Sequence, residues 1–381
     1  MRRAFVVVLD ACGVGALPDA GAYGDEGANT LGHLAELVPL EVPNLQALGL
    51  GSILPLAGVR PAERPVLHGR LHATGYGKDS TAGHWELMGA PASAPPPTYP
   101  DGFPLEVLSL VTEASARQIV CNQPYNGIDA IDDFGEEHLR SGALIVYTSQ
   151  DSVLQIAAHV DVVPTDELYE ICAHVRAGLA SEHPVGRVIA RPFRGSPGAF
   201  ERTDGRRDLA LAPPSRSYLD ELYDLDVPVH SVGKVGQLFA GRGIHEQHPG
   251  ASNAVALEET ARLIGSLPAG LVFTNLIETD QVYGHRHDAE GFAAALASID
   301  QAVGAWLKWL GEDDLLVLTA DHGCDPTAAH TDHTREFVPL LAVYGEREPR
   351  RHQGRMAEVG ASVLGWLTGR EAAGLPGRSF L

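Results

Sequence analysis

The sequence predicts an α/β fold with a mostly parallel sheet flanked by helices. The first observation is a set of short runs rich in β-branched residues, which is typical of strands buried on both faces. These runs lie at 4–9, 143–148, 186–190, 271–277 and 315–320. The second observation is that amphipathic helical patterns alternate with these runs. Such alternation favours a mostly parallel sheet covered by helices.

The first strand is expected at 4–9, where AFVVVL follows two arginines and ends at Asp10. This apolar run is too short for the core of a signal peptide, so we interpret it as a strand. A helix is expected at 165–180, because Thr165 is followed by acidic residues, as at many helix N-termini. A second helix is expected at 288–310, with one apolar stripe. That stripe consists of Phe292, Leu296, Ile299, Val303, Trp306 and Leu310.

Two proline-rich stretches interrupt this pattern, at 90–100 and 209–216. Prolines stiffen connections and mark boundaries between folded units. We therefore expect residues 92–212 to form a second domain inserted into the first. The core domain would then consist of residues 1–91 and 213–381. A chain of 381 residues is long enough for such an arrangement.

The composition excludes several classes of protein. Hydrophobic residues make up 44% and charged residues 20% of the chain, as in ordinary globular proteins. The net charge of -21 disfavours nucleic acids and anionic membranes as partners, and no apolar stretch is long enough to span a bilayer. The four cysteines lie far apart in sequence, which argues against a disulfide framework or a zinc ribbon. We expect reduced thiols and a cytoplasmic location.

Three of the apolar runs lead to an aspartate, and ligands bind at the carboxyl ends of strands in open parallel sheets. Histidines follow two of these aspartates in the sequence. The six candidate ligands are Asp10, Asp280, His285, Asp321, His322 and His333. Oxygen and nitrogen ligands without thiolate suit manganese, zinc or magnesium. Six such ligands suffice for two metal ions, which can clamp a phosphoryl group between them.

Each of these residues, taken alone, could also have a purely structural role. A single aspartate after a strand is more often a helix cap or a turn residue, and a single histidine is usually a surface or core residue. The combination of three ligand-bearing loops favours a metal site. We expect Asp325, Asp332 and His330 to be loop residues or to lie behind the ligands. We expect that Cys12 and Cys324 do not bind the metal.

Two further patterns indicate phosphate chemistry. Ser80 stands in the Gly-flanked stretch GKDSTAGHWE (77–86), and metal coordination could activate its hydroxyl as a phosphate acceptor. The alternative is a simple Ser/Thr turn or helix cap. Six arginines fall within 187–207 of this acidic chain, and guanidinium groups bind phosphate well. We expect at least two of these arginines to be only solvated surface residues.

Longer motifs show a family resemblance. They are LDACGVGALPDA (9–20), GKDSTAGHWE (77–86), DQVYGHRHD (280–288), TADHG (319–323) and TDHTREFVPLL (331–341). Together with YTSQDSVLQIAAH (147–159) and VGRVIARPF (185–193), they resemble the phosphopentomutase family of the alkaline phosphatase superfamily. TADHG alone would indicate only the superfamily.

The resemblance implies an alkaline-phosphatase-like α/β core, which binds the metals and carries out catalysis, and a smaller α/β cap that contributes substrate binding. It implies an isomerase that interconverts ribose 1-phosphate and ribose 5-phosphate, or their 2-deoxy forms, in nucleoside salvage. The partners would be small sugar phosphates. The cofactors would be two Mn²⁺ ions, with other divalent metals possible, and a sugar bisphosphate activator such as glucose 1,6-bisphosphate.

The resemblance also implies roles for individual residues. One metal would be held by Asp10, Asp321 and His322, and the other by Asp280, His285 and His333. The phosphorylated residue would be Ser80, where the family usually has threonine, with Thr81 as the alternative. The substrate-binding residues would be Ser149, Asp151, Val153, Arg187, Ile189, Arg202 and Lys234. The loop CNQPYNGIDA (121–130) departs from the family pattern at Asn126 and Ile128.

Three other functions fit parts of the pattern. A phosphatase or phosphodiesterase could use the same metal core to transfer phosphate to water. A cofactor-independent phosphoglycerate mutase would share that core, although YTSQDS (147–152) argues against it. A non-catalytic metal-binding protein could have lost turnover through the serine at position 80.

Overall fold

The computed structural model describes residues 2–149, 152–179, 183–345 and 349–381. The chain divides into two compact units. The core unit consists of Met1–Ala94 and Pro213–Leu381, and the inserted unit is the single segment Pro95–Ala212. Proline-rich sequence lies at both boundaries of the inserted unit.

The strands of the described residues follow in chain order. They are β1 (Arg3–Leu9), β2 (Leu67–His72), β3 (Ile119–Pro124), β4 (Leu144–Thr148), β5 (Val153–His159), β6 (Arg187–Ser196), β7 (Ala199–Arg202), β8 (Arg207–Ala210), β9 (Val229–Val232), β10 (Glu246–His248), β11 (Gly270–Leu276), β12 (Asp314–Thr319), β13 (Val338–Tyr344) and β14 (Arg351–Arg355).

The α-helices of the same residues are α1 (Thr30–Leu37), α2 (Pro43–Leu48), α3 (Leu50–Ile53), α4 (Ser80–Leu87), α5 (Leu105–Ser115), α6 (Asp129–Ser141), α7 (Thr165–Gly178), α8 (Tyr218–Asp224), α9 (Val235–Leu238), α10 (Asn253–Ser266), α11 (Ala289–Trp306) and α12 (Glu358–Thr368). Short 3₁₀ turns occur at Ala20–Tyr23 and Gly284–Arg286, and a π turn occurs at Thr279–Tyr283.

The core unit is built on an eight-stranded sheet in the order β10-β9-β11-β1-β12-β13-β2-β14. Strand β13 is antiparallel to both of its neighbours, and the other pairs are parallel. Strand β1 lies between β11 and β12 and is buried at every residue except the first. Burial on both faces explains why these strands read as continuous apolar runs. The strands predicted at 4–9, 271–277 and 315–320 are confirmed.

Helix α11 shows how side-chain caps and apolar stripes define the helices of the core unit. The side chain of Asp288 accepts a hydrogen bond from the Gly291 backbone N–H, which fixes the start of the helix. The predicted stripe is buried from Phe292 to Trp306. The predicted end at 310 is wrong, because the helix ends at Trp306 and turns follow it before Gly311.

The inserted unit has its own sheet, in the order β3-β4-β5-β6-β7, with β8 paired to β6. Alternate residues of β4 belong to two separate apolar clusters. Leu144 and Val146 pack with α5 and α7, whereas Ile145 and Tyr147 pack with α6. Because successive side chains of a strand point to opposite faces, helices cover both faces of this sheet.

The predicted fold class is confirmed, with a mostly parallel core sheet flanked by helices and a smaller α/β unit. Within the described part of the chain, no helix has the length and apolar content that a bilayer crossing would require.

Candidate active site

Three aspartates lie at the carboxyl ends of three neighbouring strands. Asp10 follows β1 directly, Asp321 follows β12 after one residue, and Asp280 lies in the π turn after β11. Strand β1 is parallel to both neighbours, so the three strands end at the same edge of the sheet. Ligands bind at this edge in open α/β sheets, because the loops there leave a crevice.

The first group of candidate ligands is Asp10, Asp321 and His322, whose donor atoms lie within 4.8 Å of one another. The Nε2 atom of His322 is 3.3 Å from Oδ1 of Asp10 and 3.6 Å from Oδ2 of Asp321. All three side chains are buried. Such proximity of two buried carboxylates requires positive charge nearby.

The second group is centred on Asp280. Its Oδ2 atom is 3.5 Å from Nε2 of His285, and its Oδ1 atom is 3.3 Å from Nε2 of His333. The two groups adjoin, because donor atoms of Asp280, His322 and His333 also lie within 4.8 Å of one another. The structure therefore brings all six predicted ligands into one continuous cluster.

The donor atoms of this cluster fit divalent cations. Among the described residues, Oδ1 of Asp280, Oδ2 of Asp321 and Nε2 of His333 are buried without a hydrogen-bond partner. A buried polar atom without a partner is costly, and metal ions bound to the two groups would satisfy all three. Carboxylate oxygen and imidazole nitrogen are ligands that suit manganese, zinc or magnesium. The residues therefore fit two such ions.

Burial and neighbouring charges shift the pKa values of the side chains in this cluster. Burial raises the pKa of Asp10, and the negative charge of Asp321 raises it further. Burial would also raise the pKa of Asp280, but the adjacent imidazoles of His285 and His333 outweigh it and lower that pKa. The hydrogen bond to Asp280 raises the pKa of His285 to about 9. Without metal, protonated imidazole thus balances the carboxylates, a role that cations would take over.

Ser80 lies beside the first group of ligands. Its Oγ atom is 3.2 Å from Nε2 of His322 and 3.4 Å from Oδ1 of Asp10. Asp79 caps helix α4 by accepting hydrogen bonds from the backbone N–H groups of Thr81 and Ala82, so Ser80 is the first residue of the helix. The positive end of a helix dipole favours anions such as a phosphoryl group.

Two buried residues that the sequence analysis did not single out connect these groups. Asn275 donates from Nδ2 to Oδ2 of Asp10 at 2.8 Å. His84 has Nε2 3.1 Å from Nδ2 of Asn275, and its Nδ1 is 2.8 Å from the backbone O of Ser80. The same Nδ1 lies 3.1 Å from Oδ2 of Asp321. Asn275 could have been found from the sequence, because it is a polar residue in the largely apolar strand GLVFTNL.

Helix α4 packs very closely against the loop that carries Asp321. A Cβ atom added at Gly83 would lie 2.3 Å from the backbone O of Asp321 and 2.7 Å from its Cβ. No side chain larger than hydrogen fits there, because real Cβ atoms do not approach so closely. Gly83 therefore sets the distance between Ser80 and the ligands.

The remaining acidic and imidazole groups of the ligand-rich loop contact neighbouring loops. Nζ of Lys78 is 3.0 Å from Oδ1 of Asp25 and 3.6 Å from Oδ2 of Asp332. Nε2 of His330 is 3.1 Å from the same Asp25 oxygen. Asp325 accepts a hydrogen bond from the backbone N–H of Asn29 at 2.7 Å. The Lys78 contacts connect the loop before α4 with two neighbouring loops, and the other contacts join those loops to each other.

The two cysteines near the cluster remain thiols. Burial raises the pKa of Cys12 and that of Cys324, and nearby carboxylates raise both further. The Sγ atom of Cys324 lies within 4.8 Å of donor atoms of Asp280 and His285. A protonated thiol is a poor metal ligand, because the thiolate is the coordinating form.

The predicted substrate-binding residues lie in both units. In the core unit, Nζ of Lys234 donates to Oε1 of Gln281 at 3.0 Å, next to Asp280 in sequence. In the inserted unit, Val153 is the register partner of Arg187. Ile189 lies on β6 and is buried, whereas Arg202 lies at the end of β7 and is exposed. Ser149 directly follows β4, and Asp151 lies outside the described residues.

The predicted arginine cluster is only partly available for anions. Arg194 pairs with Glu201 at 2.7 Å and Arg206 pairs with Asp208 at 2.7 Å. Nη1 of Arg187 lies 3.7 Å from Oδ2 of Asp208. Several of these guanidinium groups thus already have carboxylate partners on the same sheet.

Fold and site together define a metal-dependent enzyme class, and the family model described as the Metalloenzyme superfamily matches residues 2–368. The chain is 44% identical over 367 residues to a phosphopentomutase of Caldanaerobacter subterraneus subsp. tengcongensis, covering 95% of this chain and 93% of the relative. It is 48% identical over 347 residues to a phosphopentomutase of Carboxydothermus hydrogenoformans, covering 91% and 89%. The chain belongs to the phosphopentomutase family of metalloenzymes.

A solved structure shows the same fold at much lower sequence identity. A protein from Pyrococcus horikoshii is similar with a TM-score of 0.52 and 14% identity, covering 98% of this chain and 99% of that one. At this identity the similarity concerns the fold alone.

Proposed function

We propose that this protein interconverts ribose 1-phosphate and ribose 5-phosphate, and the 2-deoxyribose forms, through a phosphorylated Ser80. The observation that carries the proposal is the position of the Ser80 hydroxyl, 3.2 Å from His322 and 3.4 Å from Asp10. A hydroxyl at the start of a helix and beside metal-binding groups is placed to accept a phosphoryl group. The enzyme would be an isomerase of the cytoplasm, acting in nucleoside salvage.

Two Mn²⁺ ions are the proposed cofactors. One would be held by Asp10, Asp321 and His322, and the other by Asp280, His285 and His333. When bound, such ions neutralise charge on the transferring group and lower the pKa of an attacking hydroxyl. Asn275 would keep Asp10 oriented through its hydrogen bond of 2.8 Å.

After one priming transfer, each turnover would consist of two phosphoryl transfers. A sugar bisphosphate such as glucose 1,6-bisphosphate first phosphorylates Ser80. The free hydroxyl oxygen of the substrate then forms a bond to phosphorus and loses its proton, while the bond between phosphorus and Ser80 Oγ breaks and Ser80 Oγ takes up a proton. The resulting pentose bisphosphate presents its other phosphate, Ser80 Oγ bonds to that phosphorus, and the isomeric monophosphate leaves. Catalysis of this kind rests mainly on positioning and electrostatics.

The substrate's existing phosphate would bind to Arg187, Arg202 and Lys234. The sugar would contact Ser149, Asp151, Val153 and Ile189. The role proposed for the inserted unit is to bind the substrate and exclude water, because attack by water would turn the isomerase into a phosphatase.

A coupled isomerase assay with Mn²⁺, with and without glucose 1,6-bisphosphate, tests the proposal. We expect isomerisation of ribose 5-phosphate that the bisphosphate stimulates, with little release of free phosphate. Phosphate release as the main product would instead indicate a hydrolase. Turnover of 3-phosphoglycerate would indicate the phosphoglycerate mutase reaction, and failure to form phosphoprotein would indicate a non-catalytic metal-binding protein.

A further inference from the structure

A second cluster of side chains that could hold a metal ion lies at the edge of the core sheet, and none of its members belongs to the candidate active site. It consists of His230 on β9 with Glu246 and His248 on β10, and one donor atom from each lies within 4.8 Å of the others. We call these three residues the edge cluster. Two of them stand in the short stretch HEQH (245–248).

The pairing of two parallel strands builds the edge cluster. Strand β10 is the outermost strand of the sheet and pairs with β9, with His230 opposite Glu246 and Val232 opposite His248. Residues two apart on a strand lie on the same face, as do residues directly opposite each other on paired strands. All three side chains therefore lie on one face of the sheet.

The distances within the edge cluster match those expected around a tetrahedral ion. Nδ1 of His230 is 2.9 Å from Nε2 of His248. Oε2 of Glu246 is 3.6 Å from that His230 nitrogen, and Oε1 of Glu246 is 3.7 Å from that His248 nitrogen. Ligands about 2.0–2.1 Å from a tetrahedral zinc ion are separated from each other by about 3.3 Å. The three observed separations bracket this value.

A carboxylate behind His248 fixes which of its nitrogens can bind a cation. Nδ1 of His248 is 2.8 Å from Oε1 of Glu259 on helix α10. A carboxylate accepts the Nδ1 proton, and this leaves the Nε2 lone pair of His248 available to a cation or, without one, to the Nδ1 proton of His230 in the 2.9 Å hydrogen bond. Carboxylate–histidine–zinc arrangements use the same contact to orient the ligand and raise its basicity. His248 is buried and Glu246 is exposed, so an ion could enter from the Glu246 side.

We propose that Nδ1 of His230, Nε2 of His248 and the carboxylate of Glu246 form a zinc-binding site, with Glu259 orienting His248. Two imidazole nitrogens and one carboxylate favour Zn²⁺ over Mg²⁺ or Ca²⁺, which prefer oxygen ligands. Water would complete the coordination. The ion would hold the three-residue edge strand β10 on β9, so its function would be structural. This site is independent of the phosphoryl transfer proposed above.

Zinc content measured on the manganese-loaded protein tests this site. The protein is dialysed against micromolar Zn²⁺ with excess Mn²⁺, and bound zinc is counted by mass spectrometry. We expect the wild-type protein to hold one more zinc per chain than Glu246→Gln or His230→Gln. Any zinc in the active site is common to all variants and cancels in this difference. Glu258→Gln, an exposed change next to Glu259, is the control and should match the wild-type protein.

Two further measurements sharpen the test. Glu259→Gln should weaken zinc binding about 10- to 100-fold without changing the final stoichiometry, as expected for a residue behind a ligand. Zinc should raise the melting temperature of the wild-type protein and of Glu258→Gln more than that of Glu246→Gln. Because Glu246 is exposed, its substitution should leave the fold intact. Equal zinc content and affinity in the wild-type protein and in folded Glu246→Gln would overturn the proposal.

Discussion

The hydroxyl oxygen of Ser80 lies 3.2 Å from the Nε2 atom of His322, although the two residues are 242 positions apart in sequence. The same histidine nitrogen lies 3.3 Å from Oδ1 of Asp10. The candidate phosphate acceptor therefore contacts two candidate ligands of one metal. Phosphoryl transfer to Ser80 should therefore depend on metal binding.

Replacing Ser80 with Ala should abolish phosphoprotein formation while leaving metal content unchanged. The hydroxyl is the proposed acceptor, whereas the six candidate metal ligands remain. Isomerase activity should fall by about three orders of magnitude or more, as when other nucleophiles are removed. Labelling with a phosphorylated primer and metal analysis measure both effects. Thr81→Ala is the matched control and should label normally, whereas labelling of Ser80→Ala at the wild-type level would assign the acceptor role elsewhere.

Replacing Gly83 with Ala should reduce activity without removing any catalytic group. The new methyl group would meet the backbone O of Asp321 at 2.3 Å, so α4 must shift and carry Ser80 with it. A misplacement of about 1 Å can cost about 100-fold in rate. Steady-state assays measure this loss. Gly265→Ala is the control, because it also adds a methyl group within a helix but meets no atom within 4 Å. Activity loss in the control would show that the effect is not local.

Replacing Arg202 with Ala should raise KM for ribose 5-phosphate about tenfold, the equivalent of one charge-assisted hydrogen bond. The change in kcat should be smaller if the contact is equally strong in the ground and transition states. Arg194→Ala is a suitable control, because Arg194 already pairs with Glu201. An unaltered KM in Arg202→Ala would remove this residue from the proposed phosphate-binding set.

Replacing Asp220 with Asn should destabilise the core unit near neutral pH but not in acid. Asp220 accepts hydrogen bonds from Ser217 and from Nε of Arg242, and these contacts outweigh burial and lower its pKa. A carboxyl with a lowered pKa stabilises the folded state above its unfolded pKa, and that stability is lost as pH falls through the folded value. We expect a loss of about 1 kcal/mol at pH 7, allowing for solvent screening.

Thermal melting at pH 7 and at a pH below the lowered pKa of Asp220 measures this dependence. The wild-type protein and Asp220→Asn should differ at pH 7 and converge in acid. Asp224→Asn is the control, because Asp224 makes an exposed ion pair with Arg216 and its loss should change stability little. A difference that persists unchanged in acid would show that charge at Asp220 is not the cause.

Most of the fold could be predicted from the sequence. Doubly buried strands are continuous apolar runs, so five strands and the helix at 165–180 could be located directly. The carboxyl ends of parallel strands share one edge, so ligand-rich sequence after β1, β11 and β12 predicted a metal site. The predicted end of α11 lay too far along the chain, because the helical spacing of apolar residues continues into the turns after Trp306.

The sequence by itself determined which side chains could bind metal or accept phosphate, because those properties belong to the residues and to their order along each strand. The tertiary structure alone decided that β1 lies between β11 and β12, which brings the ligand loops together. It also decided that His84 and Asn275 stand behind Ser80 and Asp10, and that His230 faces His248. Strand order depends on pairing between distant segments, so local sequence patterns do not specify it.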